Sequence, residues 1–454
     1  MTPEAIVKKM INLEEKHNLF EMEVNNVLFY QLIRMQLYYY IIGEKKIFNK
    51  QDYSYKNIIL TIYHILKELL TWKNRKKLLK NHICIIQHSR KIDNKDIYTD
   101  YLKKIIKDYS ILHQSSGQNY TLNKNSINYD YNLLLKQILS FFRVSYPSRN
   151  KNVEKFITIF KEAFSLDDNF KKNMYFYVQN QLNAYKVAKY FLKKTKFEKI
   201  IVVNSYGNQS IIYAANEQNI ETIELQHGVI NKNHLGYHFP KLKIKNLLSF
   251  PKKIILFGEF WKDKANYPVN SDQLISLGSP YFEENYTKLK SKEKNNNSRV
   301  LVLSQQTMQK YILEFIKKIV LNEKSIKFTY KAHPKEDIKY AETFVINNQL
   351  TENVKIVHGS KNIYNLFEQH GTQIGVFSTA LYEGYSCKLK TGIIKAPGWE
   401  SMKPLINYSN VYMVESITDF KKMINSTIKD FSSDFFMPDA KKNFNKFFSR
   451  TNSF

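Results

Sequence analysis

Two stretches in the second half of this chain alternate strand-like and helix-like patterns, and this alternation constrains the fold more than any other feature of the sequence. Residues 199–228 (KIIVVNSYGNQSIIYAANEQNIETIELQHG) predict a strand over 199–204, a helix over 208–218 and a strand over 221–226. A unit of this kind favours parallel strands joined by a right-handed crossover. KIILFG, at 253–258, predicts one further strand.

A second alternation follows a hydrophilic stretch at 288–298 (KLKSKEKNNNS), which has no apolar period and predicts a linker or an exposed loop. Its strand-like runs are RVLVLSQQT, IKFTYKAHP, NVKIVHG, QIGVFS and KTGIIKAP, with helix-like runs between most of them. Strands alternating with helices predict a doubly wound parallel sheet. Two such domains in series face each other across a cleft, and ligands bind outside the carboxyl ends of the strands.

The first part of the chain is predicted to be mostly helical, with one short strand at 82–89, a helix at about 131–143 and a long amphipathic helix at 169–194. The expected fold class is therefore α/β with two Rossmann-like domains and a largely helical N-terminal portion. The expected organisation is an N-terminal domain over 1–285 (helical over 1–195, α/β over 196–285), a linker over 286–298, a second α/β domain over 299–430 and a basic, aromatic C-terminal helix or tail over 431–454.

The net charge of +28 raises the question of a nucleic-acid partner. The positive charge is nearly all lysine, with arginine at only seven positions, whereas arginine is the residue that duplex readout favours. We therefore predict no nucleic-acid partner. Peripheral association with an anionic inner membrane accounts better for the sign of the charge. The segment KKNFNKFFSR at 441–450 is a candidate for this membrane contact. The alternative is a C-terminal helix that packs back on its own domain.

The two cysteines, Cys84 and Cys387, cannot form a disulfide framework or a thiolate metal site by themselves, which is typical of a reducing cytoplasm. The N-terminus lacks an uninterrupted apolar run of the kind found in signal peptides. The longest apolar stretches carry charged residues and are too short to span a bilayer. We expect a cytoplasmic protein that is soluble or peripheral at the inner face of the membrane.

Polar residues follow the second strand of the 199–228 unit, where the cleft rule places ligands. Gln226, His227 and Gly228 end that strand, and a glycine after a histidine permits a close approach to a ligand. The imidazole titrates near neutrality, which suits general-base catalysis on a hydroxyl group. The alternative is a histidine that braces its own loop, and the sequence leaves the two open.

Three further groups follow strands of the second alternation. Gln305 and Thr307 lie in SQQT, and Lys331 alternates with His333 so that both point to one side, where Pro334 stiffens the turn. A lysine and a histidine on one side can clamp a phosphate, and the alternative is a solvated strand end.

The segment VFSTALYEG adds a helix start to this side of the predicted cleft. Ser378 or Thr379 is a good N-cap, and an exposed helix N-terminus attracts phosphate. Glu383 lies at i+4 from Thr379 and can accept hydrogen bonds from ribose hydroxyls. A capped helix with an acidic first turn is the structural alternative. The loop APGWE follows as another expected wall of the cleft.

A metal site is not expected. His227, His234 and His238 are spaced by seven and four residues, and only the last two fit a helical zinc pair. Gly236, Tyr237 and Pro240 make a helix there improbable.

The motifs IETIELQHGVI, LSQQT, YKAHP, VFSTALYEG and APGWE, in this order, resemble those of bacterial GT-B-type glycosyltransferases of capsule and O-antigen (lipopolysaccharide) synthesis. The resemblance covers about Ile200–Ile406 and is to the group related to sialyltransferases and Kdo transferases. The His-Gly element is also similar to that of cell-wall polymerases that use CDP-glycerol or CDP-ribitol. Each motif is short, so their order and spacing carry the resemblance.

The resemblance implies that His333 and Ser378 or Thr379 hold the phosphate of a cytidine nucleotide, and that His227 is the base. The acidic motif of the sialyltransferases is missing at the matching place, where Glu224 and Glu259 are the nearest acids, and Glu224 is the alternative base. The expected donor-binding residues are Gln305, Thr307, Lys331, His333, Pro334, Ser378, Thr379 and Glu383, and the expected acceptor-side residues are Gln226, Gly228, His234, Tyr237 and His238.

The expected activity is that of an inverting, metal-independent glycosyltransferase that needs no cofactor beyond its nucleotide-sugar donor. The expected donor is a CMP-activated nonulosonate or Kdo-type sugar, and the expected acceptor is a surface polysaccharide or a lipid-linked glycan. One alternative is a polyol-phosphate transferase using CDP-glycerol or CDP-ribitol. Another is a non-catalytic protein that binds membranes or nucleic acid through its basic charge.

Overall fold

The computed structural model of the protein describes residues 1–45, 79–87, 91–92, 95–113, 126–128, 150–241, 247–289, 299–334 and 336–449. The helix predicted at 131–143 and most of the predicted linker, residues 290–298, lie outside the described residues.

The described strands form two parallel sheets and one short antiparallel pair. In chain order the strands are β1 Ile83–Gln87, β2 Lys91–Ile92, β3 Lys95–Asp96, β4 Tyr109–His113, β5 Ser126–Asn128, β6 Lys199–Val202, β7 Glu221–Leu225, β8 Lys253–Leu256, β9 Leu274–Ser276, β10 Arg299–Leu303, β11 Lys327–Lys331, β12 Val354–Val357, β13 Thr372–Gly375, β14 Lys390–Ile394 and β15 Val411–Val414. The described α-helices are Pro3–His17, Phe29–Glu44, Leu102–Ile105, Lys151–Phe164, Asp168–Leu192, Gln209–Glu217, Pro280–Leu289, Gln309–Asn322, Ile338–Asn347, Tyr364–Gln369, Thr379–Ser386, Lys403–Ile406, Ile417–Asn425 and Ala440–Ser449.

The first sheet has the order β5-β4-β1-β6-β7-β8-β9, with every neighbouring pair parallel. Strands β1 and β6 to β8 are buried on both faces along almost their whole length, as strands covered by helices on each side must be. The predicted strand–helix–strand unit is confirmed, because Val202 pairs with Glu224 in parallel register across β6 and β7. The strand order reverses between β1 and β6.

The predicted helical portion over 1–195 also contributes two strands to the first sheet, β4 and β5, that were not predicted. The strand predicted at 82–89 is β1. Strands β4 and β5 escaped prediction because they are only five and three residues long and carry Ser, His and Asn in place of a continuous apolar run. Pairing with a neighbouring strand, which no local pattern reports, decided their conformation.

The second sheet has the order β12-β11-β10-β13-β14-β15, again all parallel, with its reversal between β10 and β13. Ignoring the short β2–β3 pair, both sheets share the doubly wound order in which the first strand of the sheet lies next to the fourth. The loops after the carboxyl ends of both sheets line one cleft. The predicted fold is therefore confirmed: two Rossmann-like domains face each other in the GT-B arrangement.

The C-terminal segment returns from the second domain to the first. The backbone carbonyl of Phe435 accepts a hydrogen bond of 2.8 Å from the indole of Trp261. Helix Ala440–Ser449 then packs against helices Leu102–Ile105 and Pro280–Leu289. Phe444 and Phe448 are buried in this contact, so the apolar face expected to touch a membrane is occupied by the protein itself. No described helix is long and apolar enough to cross a bilayer.

A buried ion pair joins the two N-terminal helices, and its arginine also contacts the first domain. Arg34, in helix Phe29–Glu44, contacts Glu14 of helix Pro3–His17 through two hydrogen bonds of 2.6 and 2.9 Å, and both side chains are almost fully buried. The same guanidinium donates to the backbone carbonyls of Leu235 and His238. It also lies over the ring of Phe239, 4.4 Å from its centroid. Arg34 therefore holds the segment after β7 in place.

Replacing Arg34 by Met should destabilise the protein by about 3–5 kcal/mol, because Glu14 would remain buried without its partner. Chemical denaturation measures this loss. A matched control is Lys403→Met, since Lys403 pairs with Glu4 at 2.8 Å on the surface, where an ion pair is worth less than about 1 kcal/mol. Equal losses for the two variants would contradict the anchoring role of Arg34.

Candidate active site

A cleft of about 520 Å³ lies between the carboxyl ends of the two sheets. Its volume is in the range of pockets that bind cofactor-sized ligands. Most residues predicted for the site line it, namely His227, Gly228, His234, Tyr237, Gln305, Lys331, His333, Pro334, Ser378, Thr379 and Glu383. The structure places the other four, Glu224, Gln226, Thr307 and His238, outside the lining of this cleft.

His227 lies in the turn after β7, with 16% of its side chain exposed. Its Nε2 is 3.0 Å from the hydroxyl oxygen of Tyr206, and its Nδ1 is 3.4 Å from the hydroxyl oxygen of Tyr237. The hydroxyl of Tyr98 donates a 2.9 Å hydrogen bond to the backbone carbonyl of His227. Three tyrosines thus fix this histidine at the edge of the cleft, so the bracing contacts and the position in the cleft belong to the same residue.

Glu224 is completely buried on β7, below His227. It accepts a 2.6 Å hydrogen bond from the Tyr237 hydroxyl and a 3.2 Å bond from the backbone N–H of Ser205, both at Oε1. Burial raises the pKa of Glu224 to about 7, against these two hydrogen bonds. No described residue is a hydrogen-bond partner of Oε2, which leaves that oxygen able to carry the proton. Glu224 does not line the cleft. It lies 3.9 Å from Nδ1 of His227, on the side of that residue away from the cleft.

The directions of these hydrogen bonds define the tautomer of His227. The Tyr237 hydroxyl has one proton and donates it to Glu224, so toward Nδ1 of His227 it can only accept. Nδ1 then carries the imidazole proton, and Nε2 has the lone pair that accepts from Tyr206. A histidine in this tautomer can take up a proton at Nε2, and above about pH 7, where Glu224 loses its own proton, the carboxylate 3.9 Å from Nδ1 can stabilise the resulting cation.

The other two histidines of this segment have different surroundings. His234 lies in the cleft between the rings of Tyr206 and Tyr237, with centroids 5.0 and 4.8 Å away. Burial lowers the pKa of His234 to about 4, so it is neutral at physiological pH. His238 accepts a 3.0 Å hydrogen bond from the backbone N–H of Asn266, and burial likewise lowers its pKa to about 4. His234 can contact a ligand as a neutral group, whereas His238 braces the loop.

Gln226 serves the loop rather than a ligand. Its amide nitrogen donates to the carbonyl of Gly228 at 2.9 Å, and its amide oxygen accepts from the backbone N–H of Phe257 at 2.8 Å. A methyl group at Gly228 would lie 3.6 Å from the hydroxyl oxygen of Thr379 in the opposite domain, which is ordinary contact. Gly228 therefore lies where the two domains come close together. Its backbone is not in the left-handed region, so that conformation does not explain why a glycine stands here.

The two domains also touch through the turn that follows β14. The side chain of Asn231 donates to the carbonyl of Ser401 at 3.1 Å, and Asn231 lies four residues after His227. Gly398, in the same turn, has a φ of 94°, and a side chain there would strike the ring of Phe377. The predicted APGWE wall is confirmed, because Gly398, Glu400 and Ser401 line the cleft.

On the second domain, a half-buried carboxylate that the sequence did not indicate organises the His-Pro turn. Glu336 accepts hydrogen bonds from the backbone N–H of His333 at 2.6 Å, from the hydroxyl of Ser304 at 2.8 Å and from that of Tyr330. Burial raises its pKa. In the sequence this residue lies in the charged run PKED, which is typical of a solvated turn, and only the spacing of three from His333 hints at its role.

Lys331 lines the cleft, but its ammonium group is directed at the neighbouring loop. It donates to the backbone carbonyl of Gly359 at 2.5 Å, and the residue is 7% exposed. Gly359 packs so closely against Pro334 that a Cβ atom added to Gly359 would lie 2.6 Å from the Pro334 backbone. Lys331 therefore fixes the turn that presents His333. Lys361, an exposed lysine in the same loop, also lines the cleft and adds positive charge to it.

The helix Thr379–Ser386 begins at the cleft, as predicted. Ser378 is its N-cap and accepts from the backbone N–H of Ala380 at 3.2 Å. Glu383 accepts a 3.0 Å hydrogen bond from the buried hydroxyl of Tyr364, which orients its carboxylate. Thr307 lies in the short helical turn Gln306–Met308 and is not part of the lining. The helix start, with its outward N–H groups, is the feature of this wall suited to an anion.

Two buried amide or carboxylate oxygens in the lining have no hydrogen-bond partner among the described residues. They are the amide oxygen of Gln305 and Oε2 of Glu400. A buried acceptor without a donor costs free energy unless a ligand or water supplies one. These oxygens suit a ligand that is rich in hydroxyl or amino groups. Glu400 was expected only as part of a wall, because its neighbours Trp399 and Ser401 carry no distinctive pattern.

The remaining wall comes from helix Phe29–Glu44. Met35, Tyr38, Tyr39 and Ile42 line the cleft at helical spacing, next to Tyr98. The periodicity predicted this helix, but a stripe of apolar and aromatic residues is typical of core packing, so its contact with the cleft was not predictable. Among the residues that the structure describes, no three His, Cys, Asp or Glu side chains are placed to hold a metal ion.

The raised pKa of Glu224 makes the stability of the protein depend on pH. The folded carboxyl keeps its proton up to about pH 7, whereas the ordinary value is 4.5, so the free energy of unfolding falls as the pH rises between these values. Because Gln does not titrate, the free energy of unfolding of Glu224→Gln should fall by about 3 kcal/mol less than that of the wild type over this pH range. Urea denaturation across this pH range, with Glu198→Gln as an exposed control, measures it; parallel curves for wild type and Glu224→Gln would refute the assignment.

Comparison with protein-family models finds no match, and comparison with curated proteins finds none. Among solved structures, a UDP-GlcNAc 2-epimerase from Methanocaldococcus jannaschii in complex with UDP-GlcNAc and UDP is 13% identical, with 81% of this chain and 99% of that chain covered and a TM-score of 0.47. MurG from Acinetobacter baumannii is 8% identical, with 82% and 99% covered and a TM-score of 0.46. These values identify no activity, and the fold assignment rests on the strand order of the two sheets.

Proposed function

We propose that the protein is a nucleotide-sugar-dependent glycosyltransferase. The observation that carries the proposal is the composition of the interdomain cleft. A histidine with a free-base Nε2 lies on one side, and on the other side are a helix N-terminus and buried oxygens that need hydrogen-bond donors. A nucleotide sugar matches this second wall, since its phosphate suits the helix N-terminus and its hydroxyls suit the oxygens.

In this proposal the second domain holds the donor. The phosphate would lie at the N-terminus of helix Thr379–Ser386, beside His333, with Lys361 as a mobile counter-charge. Glu383 would accept hydrogen bonds from the ribose. Gln305 and Glu400 would accept from the sugar. Lys331, Pro334 and Glu336 would position His333 without contacting the nucleotide.

The first domain would then supply the base and the acceptor. The acceptor hydroxyl loses its proton toward Nε2 of His227, its oxygen bonds to the anomeric carbon, and the bond from that carbon to the phosphate oxygen breaks with its electron pair on the phosphate. Attack from the face opposite the phosphate inverts the anomeric configuration. Tyr237 and Glu224 would hold His227 in the required tautomer. The wall of Tyr38, Tyr39 and Ile42 would contact the acceptor, for which a surface polysaccharide or lipid-linked glycan is proposed.

The donor is proposed to be CMP-linked, as in the transferases whose motifs the sequence resembles. A thermal-shift panel of CMP, CDP, UDP, GDP and their sugars tests this. At a concentration of 100 times Kd, a ligand adds about 2.7 kcal/mol of stability. Selective stabilisation by CMP and CMP-sugars supports the proposed donor. Selective stabilisation by UDP-sugars would retain the transferase and replace the donor, and no response to any nucleotide would contradict the function itself.

His227→Ala should lower kcat by about 10²–10⁴-fold, because the general base is lost, with little effect on nucleotide binding. His333→Ala should instead weaken nucleotide binding by about tenfold or more, since it loses a charge-assisted contact. His82→Ala is a matched control, because His82 is exposed and pairs with Glu198 at the amino ends of β1 and β6, away from the cleft. Full transfer by both cleft variants would contradict the mechanism.

The product of a donor assay separates the proposed reaction from the polyol-phosphate alternative. Transfer of a sugar leaves the nucleotide phosphate on the leaving group, whereas a CDP-polyol donor would add a phosphodiester to the acceptor. Mass spectrometry of the acceptor product distinguishes the two, because only the second adds phosphorus.

A further inference from the structure

Tyr206 is a cleft residue that the proposed function has not used. It lies in the short helical turn Ser205–Gly207 directly after β6, next to the position where the strand order of the first sheet reverses. Its hydroxyl oxygen is 3.0 Å from Nε2 of His227, and both residues line the cleft. The group that touches the proposed basic nitrogen is therefore a tyrosine hydroxyl.

The position of Tyr206 is rigid. Its ring lies 5.0 Å from the ring of His234 and makes an edge contact of 5.9 Å with Tyr237. Gly236 provides the space for it, because a side chain there would lie 2.6 Å from a ring carbon of Tyr206. The backbone N–H of Ser205 is bonded to Glu224. The ring cannot leave Nε2 without disrupting these contacts.

The tautomer of His227 defines what the Tyr206 hydroxyl does. Because Nδ1 holds the imidazole proton, Nε2 accepts from the Tyr206 hydroxyl, and the lone pairs of the tyrosine oxygen stay available to accept a second hydrogen bond. An acceptor hydroxyl in the cleft can donate to that oxygen. A chain of two hydrogen bonds would then connect the acceptor to His227.

We infer that Tyr206 is a catalytic residue that relays the proton of the acceptor hydroxyl to His227. This inference rests on the proposed transfer reaction. In the relay, the acceptor proton moves to the Tyr206 oxygen as the Tyr206 proton moves to Nε2. The acceptor oxygen bonds to the anomeric carbon, and the bond to the phosphate oxygen breaks with its electron pair on the phosphate. Tyr206 ends the step as a neutral phenol, and His227 ends it as a cation.

The surroundings of Tyr206 favour a role as a proton relay over a role as the general base. Burial and the nearby Glu224 raise its pKa well above the ordinary value of 10, so a phenolate does not accumulate. A hydroxyl of this kind must pass on one proton as it receives another. His227 provides the sink, because Glu224 lies 3.9 Å from Nδ1 and the Tyr237 hydroxyl lies between them.

Tyr206→Phe tests the relay, because it removes the hydroxyl and keeps the ring that packs on His234. We expect kcat for transfer to fall at least about 10²-fold, with nucleotide binding within about twofold of wild type. Tyr267→Phe is the matched control: it removes a buried hydroxyl that donates to the Trp261 carbonyl at 2.6 Å. A kcat for Tyr206→Phe within about threefold of that control would overturn the relay and leave direct contact between acceptor and His227.

A second measurement does not depend on the variant. Single-turnover transfer by the wild-type protein in mixtures of H₂O and D₂O should show a curved dependence of rate on deuterium fraction, because two protons move in the relay. A linear dependence would overturn it. Failure of the wild type to transfer any sugar would instead refute the proposed function, so the two failures are distinguishable.

Discussion

The buried ion pair between Arg34 and Glu14 is the interaction on which the first-domain side of the cleft depends. Two charges removed from water repay their desolvation only with good geometry and full hydrogen bonding. Arg34 meets this condition by bonding Glu14 and two carbonyls of the segment after β7. The stripe formed by Met35, Tyr38, Tyr39 and Ile42 lies on the same helix as Arg34. One side chain thus locates both the loop of histidines and the aromatic wall that faces the second domain.

The cleft is a product of topology as much as of particular residues. Each sheet reverses its strand order once, and the turns carrying Tyr206 and Ser378 follow the strands next to those reversals. Contacts across the cleft, such as Asn231 with Ser401, and the return of the C-terminal helix to the first domain connect the two halves. Residues far apart in sequence therefore meet at one place, and the aromatic face of the last helix is used for packing.

Sequence reasoning identified the groups that follow strands and missed those that support them. His227, His333 and Ser378 were predictable, because a polar residue after an apolar strand is a local signal. The hydroxyl of Tyr206 and the carboxylate of Glu336 were not, and Tyr237 was expected in the site without its contact to His227. Their roles depend on atoms separated by three to 21 residues along the chain, and their sequence contexts are typical of turns. Glu224 was expected as an alternative base, yet it lies behind His227.

The sequence by itself determined the alternation of strands and helices, and with it the two parallel sheets and the edge at which the cleft lies, because periodicity and strand-end polarity are local properties. Tertiary structure alone decided that β4 and β5 join the first sheet, since their conformation depends on a neighbouring strand. It also decided which of the three nearby histidines presents an unprotonated ring nitrogen to the cleft. That choice follows from the direction of hydrogen bonds among Glu224, Tyr237 and His227, and such directions arise only once the chain is folded.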